Sequence, residues 1–245
     1  MAHVVWDRFG NVPNYVEPFA GSLAVMLKRP HEAHTETVND KDCYVANFWR
    51  ALQRDPEGVA FHADNPVNEC DLHARHLWLH QQSEFRERLK REPEFYDARV
   101  AGYWCWGLCS WIGDNFCRPT EQHSLPHLGG ARGVNRQLPH LGGAQGVNRQ
   151  LPHLGNAGRG VLDWMNQLAN RLRRVRVACG DWTRVCTPVV CADTHGLTGV
   201  LLDPPYDTDG HDDVYGDISR NVSGPVRDWA IANGSNPKMR VALCG

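Results

Sequence analysis

Five short apolar segments, separated by helical patterns, constrain the fold of this chain more than any other feature. The candidate strands are residues 15–17, 35–38, 176–179, 199–202 and 240–244. Apolar residues recur at helical spacing in residues 23–27, 44–52, 162–172 and 226–232. The alternation of strand and helix predicts an α/β domain built on a parallel sheet.

A long segment interrupts this pattern between the second and the third candidate strand. Residues 71–99 are polar with a helical pattern, and an aromatic cluster follows at 103–116. Residues 125–137 then recur as 138–150 with one change, from Arg132 to Gln145. We therefore predict that residues 1–65 and 161–245 form the sheet domain. Residues 66–160 form a largely helical insertion with a Gly-rich repeat loop at 125–160.

Composition excludes some classes of protein and leaves the partner open. No apolar run is long enough for a membrane span, and the first residues lack the pattern of a signal peptide. Nine cysteines without a dense framework favour a reducing cytoplasm. The net charge is −2, but residues 118–176 hold nine arginines and two acids. This basic stretch is either a surface that faces a polyanion or a solvated face.

The strongest chemical motif is Asp203-Pro204-Pro205-Tyr206, which directly follows the apolar segment 199–202. Loops at the carboxyl end of a parallel strand are where α/β proteins place ligands. The prolines remove two amide donors but keep their carbonyl acceptors, and Asp203 adds a carboxylate. Acceptors of this kind suit an exocyclic amine, and Tyr206 offers a ring on which a planar base can stack.

This motif resembles the catalytic motif of amino-group DNA methyltransferases, chiefly those that act on adenine N6. Residues 16–22 resemble the turn by which that family approaches S-adenosylmethionine, and residues 179–182 resemble the segment that holds the cofactor's adenine. The order of the motifs is similar to that of the Dam-like enzymes of bacteria and phages. The resemblance implies a Rossmann-like methyltransferase fold with an inserted recognition region. It also implies site-specific methylation of a flipped-out adenine in double-stranded DNA, as in restriction–modification.

The resemblance assigns roles to individual residues. Asp203, Pro204 and Tyr206 would bind the target base, and Pro205 completes the catalytic motif. Asp40 ends the second strand at the distance where acids bind ribose hydroxyls, and Asp181 would accept from the adenine amine of the cofactor. The full set predicted to bind the cofactor is Glu17, Pro18, Phe19, Gly21, Asp40, Asp181, Trp182 and Asp203.

Three departures from the family pattern affect the expectation. Leu23 stands where the family has a second glycine in its first motif. The Gly-Gly-Lys segment that closes over the cofactor's methionine part is missing, and we count five strands where the fold has seven. We therefore expect a chain that is truncated at both ends.

Two alternatives follow. One keeps the enzyme class and changes the methyl acceptor to cytosine N4, an RNA base or a protein amide. The other is a partial, methyltransferase-like protein that binds DNA without methylating it.

Weaker signals concern DNA and metals. We predict phosphate contacts for arginines in and before the repeat segment, with passive solvation as the alternative: Arg118, Arg132, Arg136, Arg149 and Arg159. Cys105, Cys109 and Cys117 are placed as structural cysteines rather than metal ligands, because no second pair completes a site. We expect a monomer that binds double-stranded DNA, uses S-adenosylmethionine and needs no metal.

Overall fold

The computed structural model describes residues 1–82, 84–111, 116–117, 160–205 and 222–244. Tyr206, the loop after it and almost all of the repeat segment therefore lie outside the described residues. The described helices are α1 (Ala2–Phe9), α2 (Cys43–Arg54), α3 (Pro56–Ala63), α4 (Glu69–His80), α5 (Phe85–Arg91), α6 (Ala98–Ser110), α7 (Val161–Leu172) and α8 (Ser223–Asn233). The strands are β1 (Asn14–Glu17), β2 (Thr35–Asp40), β3 (Arg176–Cys179), β4 (Thr198–Leu202) and β5 (Met239–Leu243).

The five strands form one parallel sheet in the order β3-β2-β1-β4-β5. Parallel pairing needs a crossover between strands, and both faces of such a sheet are covered. Consistent with this, β4 is buried along its whole length. The predicted α/β architecture and its candidate strands are confirmed.

The main core lies on the face that α1, α2, α3, α6 and α7 cover. Trp6 and Phe9 of α1 pack against Tyr15 of β1, with ring centroids 5.0 and 6.2 Å from that of Tyr15. The Trp6 indole donates to the carbonyl of Val25 at 2.8 Å, which satisfies its buried N–H group. Helix α1 has only eight residues, too few for a clear periodic pattern, and it has no counterpart among the predicted helices.

The helix predicted at residues 23–27 is wrong. The structure has only a 3₁₀ turn at Met26–Lys28. Leu23 adopts the left-handed region with φ of 54°, and its N–H group donates to the carbonyl of Ala20 at 2.8 Å. A residue in that region cannot continue a right-handed helix, so the chain turns there instead.

The described part of the insertion is helical, as predicted, and it packs against the sheet domain. Ala101 and Cys105 of α6 lie in the main core cluster with Phe48 of α2. The Trp106 indole donates to the carbonyl of Asn65 at 2.9 Å. The domain boundaries at 65/66 and 160/161 stay predictions. No helix in the described ranges has the length and apolar character that a membrane crossing requires.

Candidate active site at the carboxyl edge of the sheet

The strand order changes direction at β1, which lies between β2 and β4. In an open parallel sheet a crevice forms outside the carboxyl ends of the strands at such a point. The turn after β1, the end of β2, the turn after β3 and the turn after β4 all meet this edge. They carry the predicted cofactor and catalytic residues.

The turn after β1 is open toward solvent at Gly21. Gly21 has φ of 45°, a conformation that glycine adopts without cost, and a Cβ atom built there would meet nothing within 4 Å. Its N–H group donates to the Asp40 carboxylate at 2.9 Å, and its carbonyl accepts from the Trp49 indole at 2.9 Å. The turn is therefore fixed from below by β2 and α2 and leaves space above.

Asp40 ends β2 and holds two backbone amides. Its carboxylate accepts from Gly21 at 2.9 Å and from Asp42 at 2.8 Å. Burial raises the pKa of Asp40 to about 6, and these amide donors oppose the rise. The backbone amide of Lys41 also lowers this pKa. A carboxylate has about four acceptor sites, so Asp40 is able to accept a further hydrogen bond from a hydroxyl.

Asn39 connects the two turns that the predicted cofactor residues occupy. Its buried amide group donates to the carbonyl of Pro18 at 3.0 Å and to the carbonyl of Gly180 at 2.9 Å. The backbone adds Ala20 N–H to the Asn39 carbonyl at 2.8 Å. Asn39 is the last residue but one of β2. Its bracing role needs the three-dimensional neighbours on both sides.

Asp181 and Trp182 follow β3. The exposed Asp181 carboxylate accepts from the Thr183 hydroxyl at 2.5 Å and from the Thr183 amide at 3.0 Å, and the hydroxyl is the main cause that lowers its pKa. The Trp182 ring stacks on Phe19 with centroids 6.3 Å apart and meets the edge of Trp229 of α8. An aromatic wall therefore joins the turns after β1 and β3.

Asp203 and Pro204 follow β4 on the other side of β1. Asp203 is exposed, and Pro204 is buried beside it. Partial burial of the Asp203 carboxyl raises its pKa. Pro205 is half-buried, and Tyr206 lies outside the described residues.

Glu17 is buried behind the exposed acids. Its carboxyl accepts a hydrogen bond from the Tyr15 hydroxyl at 2.9 Å, and burial raises its pKa to about 8. Asp203 and Glu36 add to this rise. Pro18 is buried too and faces Asn39 through its carbonyl. Among the predicted cofactor residues, Gly21, Asp40, Asp181 and Asp203 are the ones with polar groups at the surface of the edge.

A family comparison covers the first part of this site. Residues 4–113 match the model of the D12 class N6 adenine-specific DNA methyltransferases. Over these residues the chain is similar to that family. The match spans the turn after β1, Asp40 and the helices up to α6, and it ends before Asp181 and Asp203. A search of curated proteins gave no significant match.

The family supports adenine N6 methylation of DNA as the activity, by a transferase that uses S-adenosylmethionine as the family does in general. The mixed α/β structure with its central parallel sheet is consistent with a Rossmann-like methyltransferase fold. The fold and the reaction that the sequence motifs predict are thus confirmed at this level.

Two further predictions concern the methyltransferase's DNA contacts and metals. All five arginines predicted to contact phosphate lie outside the described residues: Arg118, Arg132, Arg136, Arg149 and Arg159. Within the described ranges, no group of three or more His, Cys, Asp and Glu side chains is placed to hold a metal ion. Cys105 is buried and Cys109 partly so, both on α6.

Proposed function

We propose that this chain is a site-specific, Dam-like methyltransferase whose active site is the carboxyl edge of the sheet around β1. One observation carries the proposal. Three exposed or partly exposed carboxylates lie at the carboxyl ends of three strands of one parallel sheet: Asp40 ends β2, Asp181 follows β3 and Asp203 follows β4. The open turn at Gly21 lies on the same edge. This is where an α/β fold binds a ligand that has several polar groups.

The residues on the β2 and β3 side fit S-adenosylmethionine. Asp40 would accept from the ribose hydroxyls, and Asp181 would accept from the adenine amine. The space above Gly21 allows close approach to the backbone, and the ring of Phe19, stacked on Trp182, offers an apolar wall. When bound, the cofactor supplies a methyl group on a sulfonium that is already electrophilic.

The residues on the β4 side fit the target base. An adenine amine is a poor nucleophile because its lone pair is delocalised into the ring. Acceptors from Asp203 and from the Pro204 carbonyl would bind its two hydrogens and favour a more tetrahedral nitrogen, and positioning supplies much of the remaining rate. Pro205 and Tyr206 complete the motif, with Tyr206 as the stacking surface. The base must leave the duplex at a cost of a few kcal/mol.

We further propose that a monomer acts, that double-stranded DNA is contacted through the arginine-rich residues 118–159, and that no metal ion takes part. The direct transfer needs no covalent enzyme intermediate. Recognition of the DNA sequence then rests on the insertion, since base edges are read by side chains placed in a groove.

The test is transfer of labelled methyl from S-adenosylmethionine to DNA that lacks methylated adenine, with the wild-type chain, Asp203→Ala and Asp193→Ala. Asp193 is an exposed acid in the π-helical turn Val189–Asp193 before β4, and so it is a matched control. We expect label in adenine with the wild type and the Asp193 variant and none with the Asp203 variant. Label in cytosine, RNA or protein favours the alternative acceptors. DNA binding without label from a folded chain contradicts the proposal.

A further inference from the structure

The register of β4 and β5 places Cys244 beside Asp203. Leu202 pairs with Leu243, and the Cys244 N–H group donates to the carbonyl of Leu202 at 2.8 Å. Asp203 directly follows Leu202 and Cys244 directly follows Leu243, so they form the next pair at the carboxyl edge of the sheet. Because side chains alternate along a strand, paired residues of neighbouring parallel strands point to the same face. The thiol and the carboxylate therefore share one face.

Glu17 lies on that same face from the other side of β4. Tyr15 pairs with Gly199, so Glu17 is level with Leu201 and two positions before the level of Asp203. The hydrophobic core agrees with this assignment of faces. Tyr15 and Leu201 belong to one buried cluster, whereas Val16 and Val200 belong to another. Three titratable groups, on β1, after β4 and after β5, thus meet at one corner of the sheet.

The three groups influence one another. The interaction with the Cys244 thiol lowers the pKa of Asp203 against the rise that burial causes. Burial raises the pKa of Cys244 first, and Asp203 and Glu17 raise it further. The Cys244 thiol also donates to the sulfur of Met1 at 4.0 Å. A thioether sulfur is a weaker acceptor than a carboxylate. Among the described residues, Glu17 and Cys244 are titratable groups whose pKa values Asp203 raises.

We propose that Cys244 is a positioning residue for the Asp203 carboxylate, which it holds through its S–H group at the edge where the target amine enters. The role of Asp203 itself rests on the proposed function. A thiol is a weak donor, but a charged acceptor strengthens the bond. One oxygen of Asp203 is thereby occupied from the β5 side, and the other stays free for the amine.

The first test compares pH profiles of kcat/KM for adenine methylation in the wild type, Cys244→Ala and Cys244→Ser. Removal of the donor leaves the carboxylate less stabilised, so the acidic limb of Cys244→Ala moves to higher pH and kcat falls several-fold. Serine restores a donor, so Cys244→Ser returns toward the wild-type profile. A merely structural role would lower stability without moving the limb. An unchanged acidic limb in Cys244→Ala overturns the proposal.

The second test needs no methylation. The rate at which iodoacetamide alkylates Cys244 is followed against pH by peptide mass spectrometry in the wild type and in Asp203→Asn. Loss of the neighbouring negative charge lowers the thiol pKa, so we expect faster alkylation of Cys244 in the variant. Cys70 is exposed and serves as the internal control. Equal rates for Cys244 in both proteins overturn the pairing.

The two tests separate the two proposals. A wild type that methylates no adenine, but whose Cys244 still responds to Asp203→Asn, contradicts the proposed function and supports the contact. The opposite outcome is a wild type that methylates adenine, a pH profile that Cys244→Ala leaves unchanged and an alkylation rate of Cys244 that Asp203→Asn leaves unchanged. That outcome supports the proposed function and overturns the positioning role.

Discussion

The Tyr15 hydroxyl donates a hydrogen bond of 2.9 Å to the Glu17 carboxyl, and both side chains are buried beneath the carboxyl edge of the sheet. Burial raises the pKa of Glu17 to about 8, although the Tyr15 bond opposes the rise. Glu17 is therefore mostly protonated at neutral pH. A neutral Glu17 adds no negative charge behind Asp203, which carries the proposed acceptor.

This pKa makes stability depend on pH. The pKa of Glu17 is about 8 in the folded chain and near its ordinary value of 4.5 in the unfolded chain. The folded state then holds the proton more tightly, so stability falls as the pH rises through this window. Glu17→Gln keeps an acceptor for Tyr15 but cannot ionise.

We expect the free energy of unfolding of Glu17→Gln, measured by thermal unfolding, to rise relative to that of the wild type by a few kcal/mol as the pH goes from about 5 to about 8. The pKa of Asp40 is also raised, to about 6, so its contribution to stability falls over part of the same pH range. This contribution is the same in both proteins and cancels in the difference. Parallel profiles of the two proteins across this range would show that Glu17 is charged in the fold.

The brace formed by Asn39 predicts a combined loss of stability and cofactor affinity. Asn39→Ala leaves the carbonyls of Pro18 and Gly180 without their donor, at a cost of about 2–4 kcal/mol in urea unfolding. The turns after β1 and β3 then lose their link. Binding of S-adenosylhomocysteine, measured by calorimetry on folded protein, is expected to weaken at least tenfold.

The matched control is Asn47→Ala. Asn47 is equally buried and makes two hydrogen bonds of 2.9 Å with the backbone of Asp97, away from the sheet edge. It is expected to lower stability by a similar amount and to leave the affinity of the folded protein unchanged. Equal effects of both substitutions on affinity would refute the bracing role of Asn39.

The left-handed conformation of Leu23 reverses the usual order of stability of its alanine and glycine variants. Its φ of 54° is unfavourable for any residue with a Cβ atom, but its side chain is fully buried. Leu23→Ala and Leu23→Gly both lose packing, at about 2–5 kcal/mol. Glycine also relieves about 1 kcal/mol of backbone strain. We expect the glycine variant to be at least as stable as the alanine variant in urea unfolding, whereas glycine is the worse residue at ordinary positions. A clearly less stable glycine variant contradicts the left-handed turn.

Glu36 holds two arginines against the β2 side of the core. Its carboxylate lies 3.2 Å from Arg29 and 2.7 Å from Arg171, and the Arg29 side chain is 1% exposed. Glu36→Gln leaves a buried guanidinium uncompensated and is expected to cost about 3–5 kcal/mol. Glu92→Gln breaks the solvent-exposed pair with Arg88 and is expected to cost far less. Similar costs in urea unfolding would mean that the Glu36 cluster is solvated.

The sheet and its edge were predictable because buried parallel strands leave short, continuous apolar runs that end in polar residues. The Asp203 and Asp40 positions follow from that rule. The wrong prediction of a helix at residues 23–27 shows the limit of prediction from apolar spacing. Leu23 fits a helical pattern, and only the turn geometry gives it a positive φ. The Asn39 brace and the Cys244–Asp203 pair depend on strand order and register, which no local pattern contains.

The most direct test of the central claim separates binding from transfer at the two sides of β1. Affinity for S-adenosylhomocysteine and single-turnover methyl transfer to adenine are measured on Asp181→Asn and Asp203→Asn. The account predicts that the Asp181 variant binds the cofactor product more weakly and, at saturation, still methylates adenine. The Asp203 variant is predicted to lose methylation by a hundredfold or more while its affinity changes only modestly. An Asp203 variant that methylates adenine at the wild-type rate would contradict the account.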